Sequence, residues 1–474
     1  MIPVGPDKPG APTSTIRLRR LPGRIAELRP IDAAEAFRHL PGLALLESAR
    51  PGRNARWTYL TADPVALLEA PAAGADPFAV ARRLLGRLDR TPPDIADAPP
   101  FLGGLVGFLG YDLGHALERL PSMGIDDQGL PPLRLALHDW VVAWDRRAGR
   151  AWLGGRAVDG DTGRLGRRLD DVHARLTAPV TATRSVDVAP LEFRSSLSRS
   201  EYEDRVERVR QHIARGDIYQ ANLTRRLEAP FEGDPWDAYR LLRTGDPSLF
   251  SAYLDLGASP ETGRPRALMS ASPEPFLSVD AAGVVASDPI KGTRRRGRDR
   301  AEDRALACEL LSSAKDRAEN VMIVDVLRND LGRVCRPGSV RVPRLCRLER
   351  TAAVQHLVST VTGRLAPERD AFDLLGASFP GGSITGAPKI RAMEILESLE
   401  PVRRGPYTGA LGWIGPDGAM QTSILIRTFV ADGRRLTLHV GGGITWGSDP
   451  TAEWEETVAK ARGPLGAIGG AEAA

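Results

Sequence analysis

The chain has 474 residues, of which 42% are hydrophobic and 26% are charged. A chain longer than about 300 residues usually divides into more than one domain, and this composition is ordinary for a folded globular protein. The formal net charge of +4 is small for this length and gives no support to a nucleic-acid-binding protein. No apolar run reaches the roughly 20 residues that span a bilayer, and the N-terminus lacks a signal-peptide pattern. We therefore expect a cytoplasmic protein that binds neither nucleic acid nor membrane, and three scattered cysteines fit that reducing compartment.

The first half of the chain is predicted to contain mainly strands. Residues 1–16 form an expected flexible tail, and residues 17–180 form a predicted N-terminal region. The polar segment 180–194 is predicted to be a linker. Short apolar segments, some punctuated by glycine, indicate strands at 43–48, 57–60 and 101–110 and a hairpin over 135–153.

The second half mixes helices and strands without regular alternation. Ser198 and Glu201 have the spacing of a capping box, which predicts that a helix begins there. Further helices are predicted at 299–332, 388–399 and 450–461, and strands at 268–279, 284–290, 408–414, 422–430 and 436–440. This order predicts an α+β fold with antiparallel β-sheets and helices packed outside them. The predicted organisation ends with a region over 195–465 and a flexible tail over 466–474.

Two predicted helices carry pairs of carboxylates at i,i+3 spacing. Asp316 and Glu319 form one pair, and Glu453 and Glu456 form the other, with Lys460 one turn further on. Carboxylates on one helix face repel each other unless a cation lies between them, and oxygen ligands of this kind suit Mg²⁺. An exposed helix face with basic neighbours explains the first pair equally well and, taken alone, is the favoured explanation of the second.

Several turns in the second half place polar or glycine residues at the ends of strands and helices. Lys291 precedes a glycine turn in DPIKGT, and Glu274 lies in the turn SPEP. The glycine loop FPGGSITGAPK contains Thr385 and leads into a helix N-terminus, where an anion can bind. Arg427 can clamp a carboxylate, and the run Gly441–Gly443 allows a backbone to approach a ligand closely. A surface turn explains each feature taken singly at least as well, but together they favour one pocket for a cation and an organic anion.

The stretch from Gly216 to Lys460 resembles the catalytic region of the chorismate-utilising enzymes of the anthranilate synthase component I family. The matching segments are GDIYQANLTRR, SASPEPFL, DPIKGTRRRG, SAKDRAENVMIVDVLRND, VQHLVSTV, FPGGSITGAPKIRAMEILESLEP, TSILIRT, GGGI and AEWEETVAKAR. The resemblance implies the fold of that family, in which antiparallel β-sheets pack as a sandwich with helices on the outside. It also implies that residues 195–465 form the chorismate-binding catalytic region.

The resemblance assigns expected roles to individual residues. Glu274 is the expected general acid, and Lys291 is the expected nucleophile that attacks C2 of chorismate. The carboxylates expected to hold Mg²⁺, directly or through water, are Glu319, Glu456, Asp316 and Glu453. The residues expected to bind chorismate or to shape its pocket are Arg427, Gly442, Gly443, Tyr407, Thr385, His356 and Lys460.

Two positions indicate which reaction of the family this chain performs. Isochorismate and salicylate synthases use a lysine base where this chain has Gln220, so water addition at C2 is disfavoured. Anthranilate synthases typically carry Ala at the position of Lys291, whereas aminodeoxychorismate synthases carry Lys. The resemblance therefore implies conversion of chorismate and ammonia to 4-amino-4-deoxychorismate, for p-aminobenzoate and folate biosynthesis, with ammonia supplied by a separate glutamine amidotransferase subunit.

Other readings of the same motifs stay open. Anthranilate synthase component I, which converts chorismate to anthranilate for tryptophan biosynthesis, is the nearest alternative. The product could also serve a secondary metabolite in place of folate. A paralogue without activity and a nucleic-acid binder are the non-enzymatic alternatives.

Overall fold

The computed structural model describes residues 15–473 apart from 51, 53–54, 75, 94, 96, 179–188 and 352–353. Its strands are β1 (Ile16–Leu21), β2 (Ala44–Glu47), β3 (Trp57–Thr61), β4 (Ala66–Leu68), β5 (Gly104–Leu109), β6 (Leu133–His138), β7 (Trp140–Asp145), β8 (Arg150–Arg156), β9 (Leu191–Ser195), β10 (Gln220–Pro230), β11 (Phe250–Ala258), β12 (Pro265–Ser272), β13 (Pro275–Val279), β14 (Val284–Ser287), β15 (Ile290–Arg295), β16 (Arg341–Arg350), β17 (Val354–Arg364), β18 (Gly386–Ala387), β19 (Ala410–Ile414), β20 (Met420–Ile424), β21 (Thr428–Ala431), β22 (Arg435–Ile444) and β23 (Gly470–Glu472).

The helices surround these strands. They are α1 (Gly23–Glu27), α2 (Pro30–Glu35), α3 (Ala79–Leu85), α4 (Gly114–Leu117), α5 (Thr162–Thr177), α6 (Arg199–Ala214), α7 (Pro235–Gly245), α8 (Arg300–Ser312), α9 (Ala314–Gly332), α10 (Ala371–Ser378), α11 (Gly382–Thr385), α12 (Lys389–Leu399) and α13 (Pro450–Ala467), with a short 3₁₀ helix at Tyr111–Leu113. None of the helices in the described ranges is both long enough and apolar enough to cross a membrane.

Two large sheets organise the described part of the chain. The first has 13 strands in the order β1-β8-β7-β3-β2-β11-β12-β21-β22-β10-β9-β23, with β18 beside β10. The second has 10 strands in the order β15-β17-β14-β13-β20-β19-β5-β6-β4, with β16 beside β17. All the pairings are antiparallel except that of β23 with β9. The predicted N-terminal and C-terminal regions thus contribute strands to both sheets, and the boundary between them at 180–194 stays a prediction because residues 180–188 lie outside the described ranges.

The two sheets pack face to face around an aromatic core. Tyr59 and Phe101 both contact Trp413, with ring centroids 5.9 and 5.0 Å apart. This inner cluster contains strand residues from both sheets and no helix residues. Two further apolar clusters lie on the outer faces, one against α2, α5, α7 and α13 and the other against α3, α9, α10 and α12. Burial on both faces explains why many strands are apolar without alternation. The predicted α+β sandwich with helices outside is confirmed.

The chain passes from one sheet to the other within segments that sequence alone predicts as continuous strands. The predicted strand 268–279 divides at Pro273–Glu274 into β12 of the first sheet and β13 of the second. The predicted strand 422–430 divides in the same way between β20 and β21, and Arg427 lies in that junction with φ +50°. The predicted hairpin over 135–153 likewise begins in the second sheet, because β6 ends at His138 and only β7 and β8 pair as a hairpin.

Two other predictions need correction. The long helix predicted at 299–332 is wrong, because Ser313 ends α8 and caps α9 by accepting the N–H of Asp316. The flexible tail predicted at 466–474 is wrong for residues 466–473, since α13 extends to Ala467 and β23 pairs with β9. Glu472 in β23 forms an ion pair with the fully buried Arg225, which fixes the end of the chain against the first sheet. The capping box of Ser198 and Glu201 is confirmed at the start of α6.

Candidate active site

Lys291 and Glu274 meet at the loop that contains Ser383. Glu274 occupies the junction between the sheets, where its backbone carbonyl accepts the N–H of Ile424, and its side chain is buried. Ser383 donates a hydrogen bond from its hydroxyl to Oε1 of Glu274 at 3.2 Å. The carbonyl of the same serine accepts a hydrogen bond from Nζ of Lys291 at 3.1 Å. Ser383 therefore links the carboxyl group of Glu274 and the amine of Lys291 through two hydrogen bonds.

The backbone beside Lys291 fixes the direction of its side chain. Gly292 has φ +77°, and a Cβ atom there would lie 2.9 Å from Cβ of Asp316 on α9. Glycine is thus required for the β-bulge that brings β15 against this helix. The close approach of β15 and α9 encloses the amine of Lys291 between strand, helix and glycine loop.

The environment disfavours the charged forms of Lys291 and Glu274. Burial lowers the pKa of the Lys291 amine, although the charges of Glu274 and Glu319 oppose that change. Burial raises the pKa of the Glu274 carboxyl against the opposing charge of Lys291. A neutral amine is a nucleophile, and a protonated carboxyl is a proton donor. Lys460 adds to the lowering at Lys291, whereas the arginines at 294–296 each pair with an acidic residue.

A second group of charges lies next to Lys291, on α9 and α13. Lys460 forms an ion pair with Glu456 at 2.6 Å, and its Nζ donates to the carbonyl of Gly441 at 2.8 Å. Burial raises the pKa of Glu319 and of Glu453, and the charge of Glu456 adds to both increases. For Glu456 itself, burial is outweighed by Lys460, and its pKa is lowered. Glu319 on α9 and the pair Glu453 and Glu456 on α13 therefore converge from helices that are far apart in the sequence.

The glycines at the end of β22 keep space open beside these carboxylates. A Cβ atom on Gly442 would lie 2.9 Å from Oε2 of Glu453 and 3.7 Å from Oε1 of Glu456. A Cβ atom on Gly443 would overlap the amide nitrogen of Gln220. The amide oxygen of Gln220 is buried and has no hydrogen-bond partner among the described residues. Both glycines thus allow polar groups to face a shared space.

The carboxylates fit a magnesium ion by their chemistry. The carboxylates of this group outnumber its lysines by four to three, so a divalent cation would offset the excess negative charge. The carboxylates are Glu274, Glu319, Glu453 and Glu456, and the lysines are Lys291, Lys315 and Lys460. Within the described ranges, no three of the predicted ligands bring one oxygen each within 4.8 Å of the others. Mg²⁺ keeps several water molecules and needs only one or two direct carboxylates, so this spacing is compatible with it.

Asp316 takes a different position from the other predicted metal ligands. Its Oδ2 accepts a hydrogen bond from Arg294 at 3.1 Å. Asp316 contributes to the raised pKa of Glu319, so it is close enough to act on that carboxylate by charge. It is better placed to position α9 against β15 than to face the shared space.

Arg427 and His356 lie on an electropositive side of the site together with Arg50. Nη1 of Arg427 is 3.5 Å from Asp246, and its side chain is 44% exposed. Burial, followed by the charges of Arg50 and Arg427, lowers the pKa of His356 to about 4, so its ring is neutral at pH 7. Its Nδ1 shares a hydrogen bond of 2.8 Å with the hydroxyl of Thr293. Two partly exposed arginines with one neutral histidine suit a carboxylate of a ligand.

Thr385 and Tyr407 are not brought to this group by any contact that the structure shows. The hydroxyl of Thr385 donates to the carbonyl of Gly381 and so stabilises the glycine loop itself. Tyr407 is buried and stacks on His439 with ring centroids 5.1 Å apart. Their expected contacts with substrate stay predictions.

Sequence reasoning missed Ser383 and Arg50. Ser383 lies inside a recognised glycine loop, but nothing in the sequence distinguishes its hydroxyl from that of Thr385 two residues later. Arg50 lies in the first half of the chain, and its only sequence signal is that it follows the short strand at 43–48. Long-range packing, not local pattern, places both.

A family model for chorismate-binding enzymes matches residues 45–466. The chain belongs to the chorismate-binding enzyme family. The family predicted from the motifs is thereby confirmed, and the match extends the resemblance into the first half of the chain.

Named members of this family share a large part of the chain. Anthranilate synthase component 1 of Streptomyces coelicolor is 42% identical over 445 residues, which cover 91% of this chain and 84% of the relative. Aminodeoxychorismate synthase component 1 of Salmonella typhimurium is 40% identical over 451 residues, which cover 90% and 94%. The crystal structure of anthranilate synthase component I from Streptococcus pneumoniae matches with a TM-score of 0.77 and 31% identity, covering 87% of this chain and 93% of that one. Relatives named anthranilate synthase and relatives named aminodeoxychorismate synthase are thus about equally similar to this chain.

Proposed function

We propose that this chorismate-binding enzyme aminates chorismate at C4 and so acts as an aminodeoxychorismate synthase component 1. The observation that carries the proposal is the pair formed by Lys291 and Glu274 through Ser383. A lysine whose pKa is lowered by burial can attack carbon, and a carboxyl whose pKa is raised by burial can donate a proton.

The proposed reaction has two displacement steps. The neutral amine of Lys291 attacks C2 of chorismate, and Glu274 gives its proton to the C4 hydroxyl, which leaves as water. Ammonia then attacks C4, the bond between C2 and Nζ breaks, and Lys291 recovers its electron pair. The proton lost by the new ammonium group returns to Glu274, so the sum is chorismate plus ammonia giving 4-amino-4-deoxychorismate plus water.

The surrounding residues would hold the substrate during both steps. Glu319 and Glu456, with Glu453 near by, would hold Mg²⁺, which supplies positive charge for a carboxylate of chorismate. Arg427 and Arg50 would bind the other anionic group, while Gly442 and Gly443 keep room for the ring. Asp316 would support this arrangement through Arg294, and Lys460 would orient Glu456.

The ammonia would come from a separate glutamine amidotransferase subunit, and the product would enter p-aminobenzoate and folate biosynthesis. This part of the proposal rests on the relatives named aminodeoxychorismate synthase component 1. The second candidate is anthranilate synthase component 1, because relatives of that name are 42% and 40% identical to this chain. Lys291 favours the first candidate, since its amine offers a nucleophile that anthranilate formation does not require.

Product identification separates the two candidates. Purified chain is incubated with chorismate, Mg²⁺ and an ammonium salt, and the products are resolved by mass spectrometry. We expect 4-amino-4-deoxychorismate, which retains the pyruvyl ether; anthranilate with free pyruvate would refute the proposed activity and establish the second candidate.

Lys291 variants test the covalent step. Lys291→Ala removes the nucleophile and Lys291→Arg retains a positive charge without a neutral amine, so we expect both to lose amination. Arg298→Ala is the control, because the Arg298 side chain is 87% exposed. Full activity of Lys291→Ala with ammonia would show that no lysine adduct is formed.

A further inference from the structure

Three side chains outside the candidate active site converge where the 3₁₀ helix and α4 lie against α12. Asp112 belongs to the 3₁₀ helix, His115 to α4 and Glu397 to the last turn of α12. One potential ligand atom from each lies within 4.8 Å of the other two, and this is the only such group of three acidic, histidine or cysteine residues in the described ranges. None of the three belongs to the carboxylate group around Lys291.

Backbone hydrogen bonds hold one oxygen of each carboxylate in this cluster. Oδ2 of Asp112 accepts the N–H of Gly405 at 3.0 Å, and Oε2 of Glu397 accepts the N–H of Met123 at 3.1 Å. The second oxygen of Asp112 therefore stays without a partner, and the second oxygen of Glu397 faces His115. The backbone contacts come from separate loops, so they fix the carboxylates without occupying the space between them.

The remaining atoms of the cluster lack ordinary partners. Oδ1 of Asp112 and Nε2 of His115 are both inaccessible to solvent and make no hydrogen bond of ordinary geometry. Nε2 of His115 lies 3.3 Å from Oε1 of Glu397. Buried polar atoms without partners are destabilising, and such atoms are rare in folded proteins. Oδ1 of Asp112 thus has no partner, and the imidazole of His115 has only its 3.3 Å contact with Glu397. A cation bound between the three side chains would give Oδ1 a partner and would take the place of the proton shared by His115 and Glu397.

We propose that Asp112, His115 and Glu397 form a binding site for a divalent transition-metal ion, with Zn²⁺ as the best-fitting ion. An imidazole nitrogen with two carboxylate oxygens suits Zn²⁺, whereas Mg²⁺ prefers oxygen ligands alone. Bonds of about 2.0–2.2 Å place tetrahedral ligand atoms about 3.4 Å apart, so small side-chain rotations close the site.

A cavity gives the ion a route to this cluster and room for a further ligand. The cavity has a volume of about 360 Å³ and is lined by Asp112, His115, Ser122, Asp126, Gln128 and Arg403, among others. Three protein ligands leave the fourth tetrahedral position for water from this cavity. The site lies between the N-terminal half and the C-terminal end of α12, so the ion would connect the two halves of the chain.

Zinc titration of the full chain tests the proposal. The protein is stripped with a chelator, dialysed into excess Mg²⁺ to satisfy the oxygen sites, and titrated with Zn²⁺ by calorimetry and with Co²⁺ by visible absorption. We expect one Zn²⁺ per chain and a Co²⁺ spectrum of a four-coordinate site with nitrogen and oxygen ligands. Absence of Zn²⁺ binding under these conditions would overturn the proposal.

Matched variants locate the bound ion. His115→Gln and Asp112→Asn change the ligands with little change in shape, and we expect each to weaken Zn²⁺ binding by at least about 10-fold. His212→Gln is the histidine control, because His212 pairs with Asp217 elsewhere on the chain. Glu456→Gln tests the candidate active site and is expected to leave Zn²⁺ binding unchanged. Unchanged affinity in His115→Gln, or loss in Glu456→Gln, would place the ion elsewhere; a failure of the amination assay would affect neither outcome.

Discussion

Glu274→Gln gives the sharpest test of the chemistry at the junction between the sheets. The substitution removes the proton that the carboxyl donates but preserves its size. The amide oxygen of Gln can still accept the hydrogen bond from the Ser383 hydroxyl, which is 3.2 Å from Oε1 in the parent chain. Burial raises the pKa of Glu274 and so favours its protonated, neutral form. The amide of Gln is also neutral but has no acidic proton to donate.

The expected effect is confined to the chemical step. General acid catalysis contributes about 10²–10⁴-fold in rate, which corresponds to about 2.7–5.5 kcal/mol of activation free energy. We expect kcat for ammonia-dependent amination to fall by about 10³-fold, within that range, since Glu274 is buried and water cannot easily replace it. The KM for chorismate should change by less than about 3-fold, because the polar contacts and the shape of the pocket remain.

The pH dependence identifies the role of Glu274 more directly than the rate alone. A proton donor works below its pKa, so activity should fall as the pH rises through the raised pKa of Glu274. A nucleophilic amine works above its pKa, so activity should fall as the pH drops through the lowered pKa of Lys291. We expect a bell-shaped profile of kcat/KM at constant free ammonia in the parent chain. Glu274→Gln should lose the alkaline decline and retain the acidic one.

Glu394→Gln is the matched control for this experiment. Glu394 is on α12 and accepts a hydrogen bond from Arg391 at 2.8 Å, outside both candidate sites. Its kinetics should equal those of the parent chain. The reasoning would be refuted if Glu274→Gln kept kcat within about 3-fold, or if its loss appeared only in KM.

Other substitutions test the surrounding structure. Gly442→Ala places a methyl group 2.9 Å from Oε2 of Glu453, so we expect the Mg²⁺ concentration for half-maximal activity to rise about 10-fold, with the far-UV circular dichroism unchanged. Ser383→Ala removes the hydroxyl that donates to the general acid, and a loss of about 10-fold in kcat is expected from steady-state kinetics. Glu472→Ala leaves the buried Arg225 without its carboxylate, so urea unfolding should show a loss of about 3 kcal/mol; an unchanged midpoint would mean that β23 does not contribute to stability.

The sequence predicted the chemical groups of the site better than the paths of the strands that carry them. The motifs around Lys291, Glu319 and Glu456 could be read directly, because each is a local signal on one element. The sheet to which a strand belongs could not be read, since Pro273 and Pro275 mark a possible break within 268–279 but do not show which strand pairs with either part. Partner strands decide that question. β12 and β13 each pair with a strand next to them in the sequence, β11 and β14, and each has a second partner more than 140 residues later, in β21 and β20.

The same physical reason explains why Ser383 and the end of the chain could not be assigned from the sequence. Ser383 and Thr385 both lie in a glycine loop, and only the packing of that loop against Lys291 and Glu274 gives the serine its two contacts. The end of the chain has the small-residue composition of a frayed tail. It is ordered because the buried Arg225 needs a carboxylate and Glu472 supplies one.

The junctions between the sheets explain why this part of the fold suits catalysis. Proline has no N–H to donate, so Pro273 ends the pairing of β12 and releases the chain toward the second sheet. Glu274 then stands between two strands that are each held by hydrogen bonds in a different sheet. Arg427 occupies the equivalent junction between β20 and β21, and its carbonyl accepts the N–H of Ala271 at 3.0 Å, two residues before Pro273. Because the two junctions are hydrogen-bonded to adjacent strands, the acid and the arginine hold their separation only when both sheets are formed. Rigid support of this kind is what a preorganised site requires, so substitutions that loosen either junction should reduce catalysis before they reduce the stability of the whole fold.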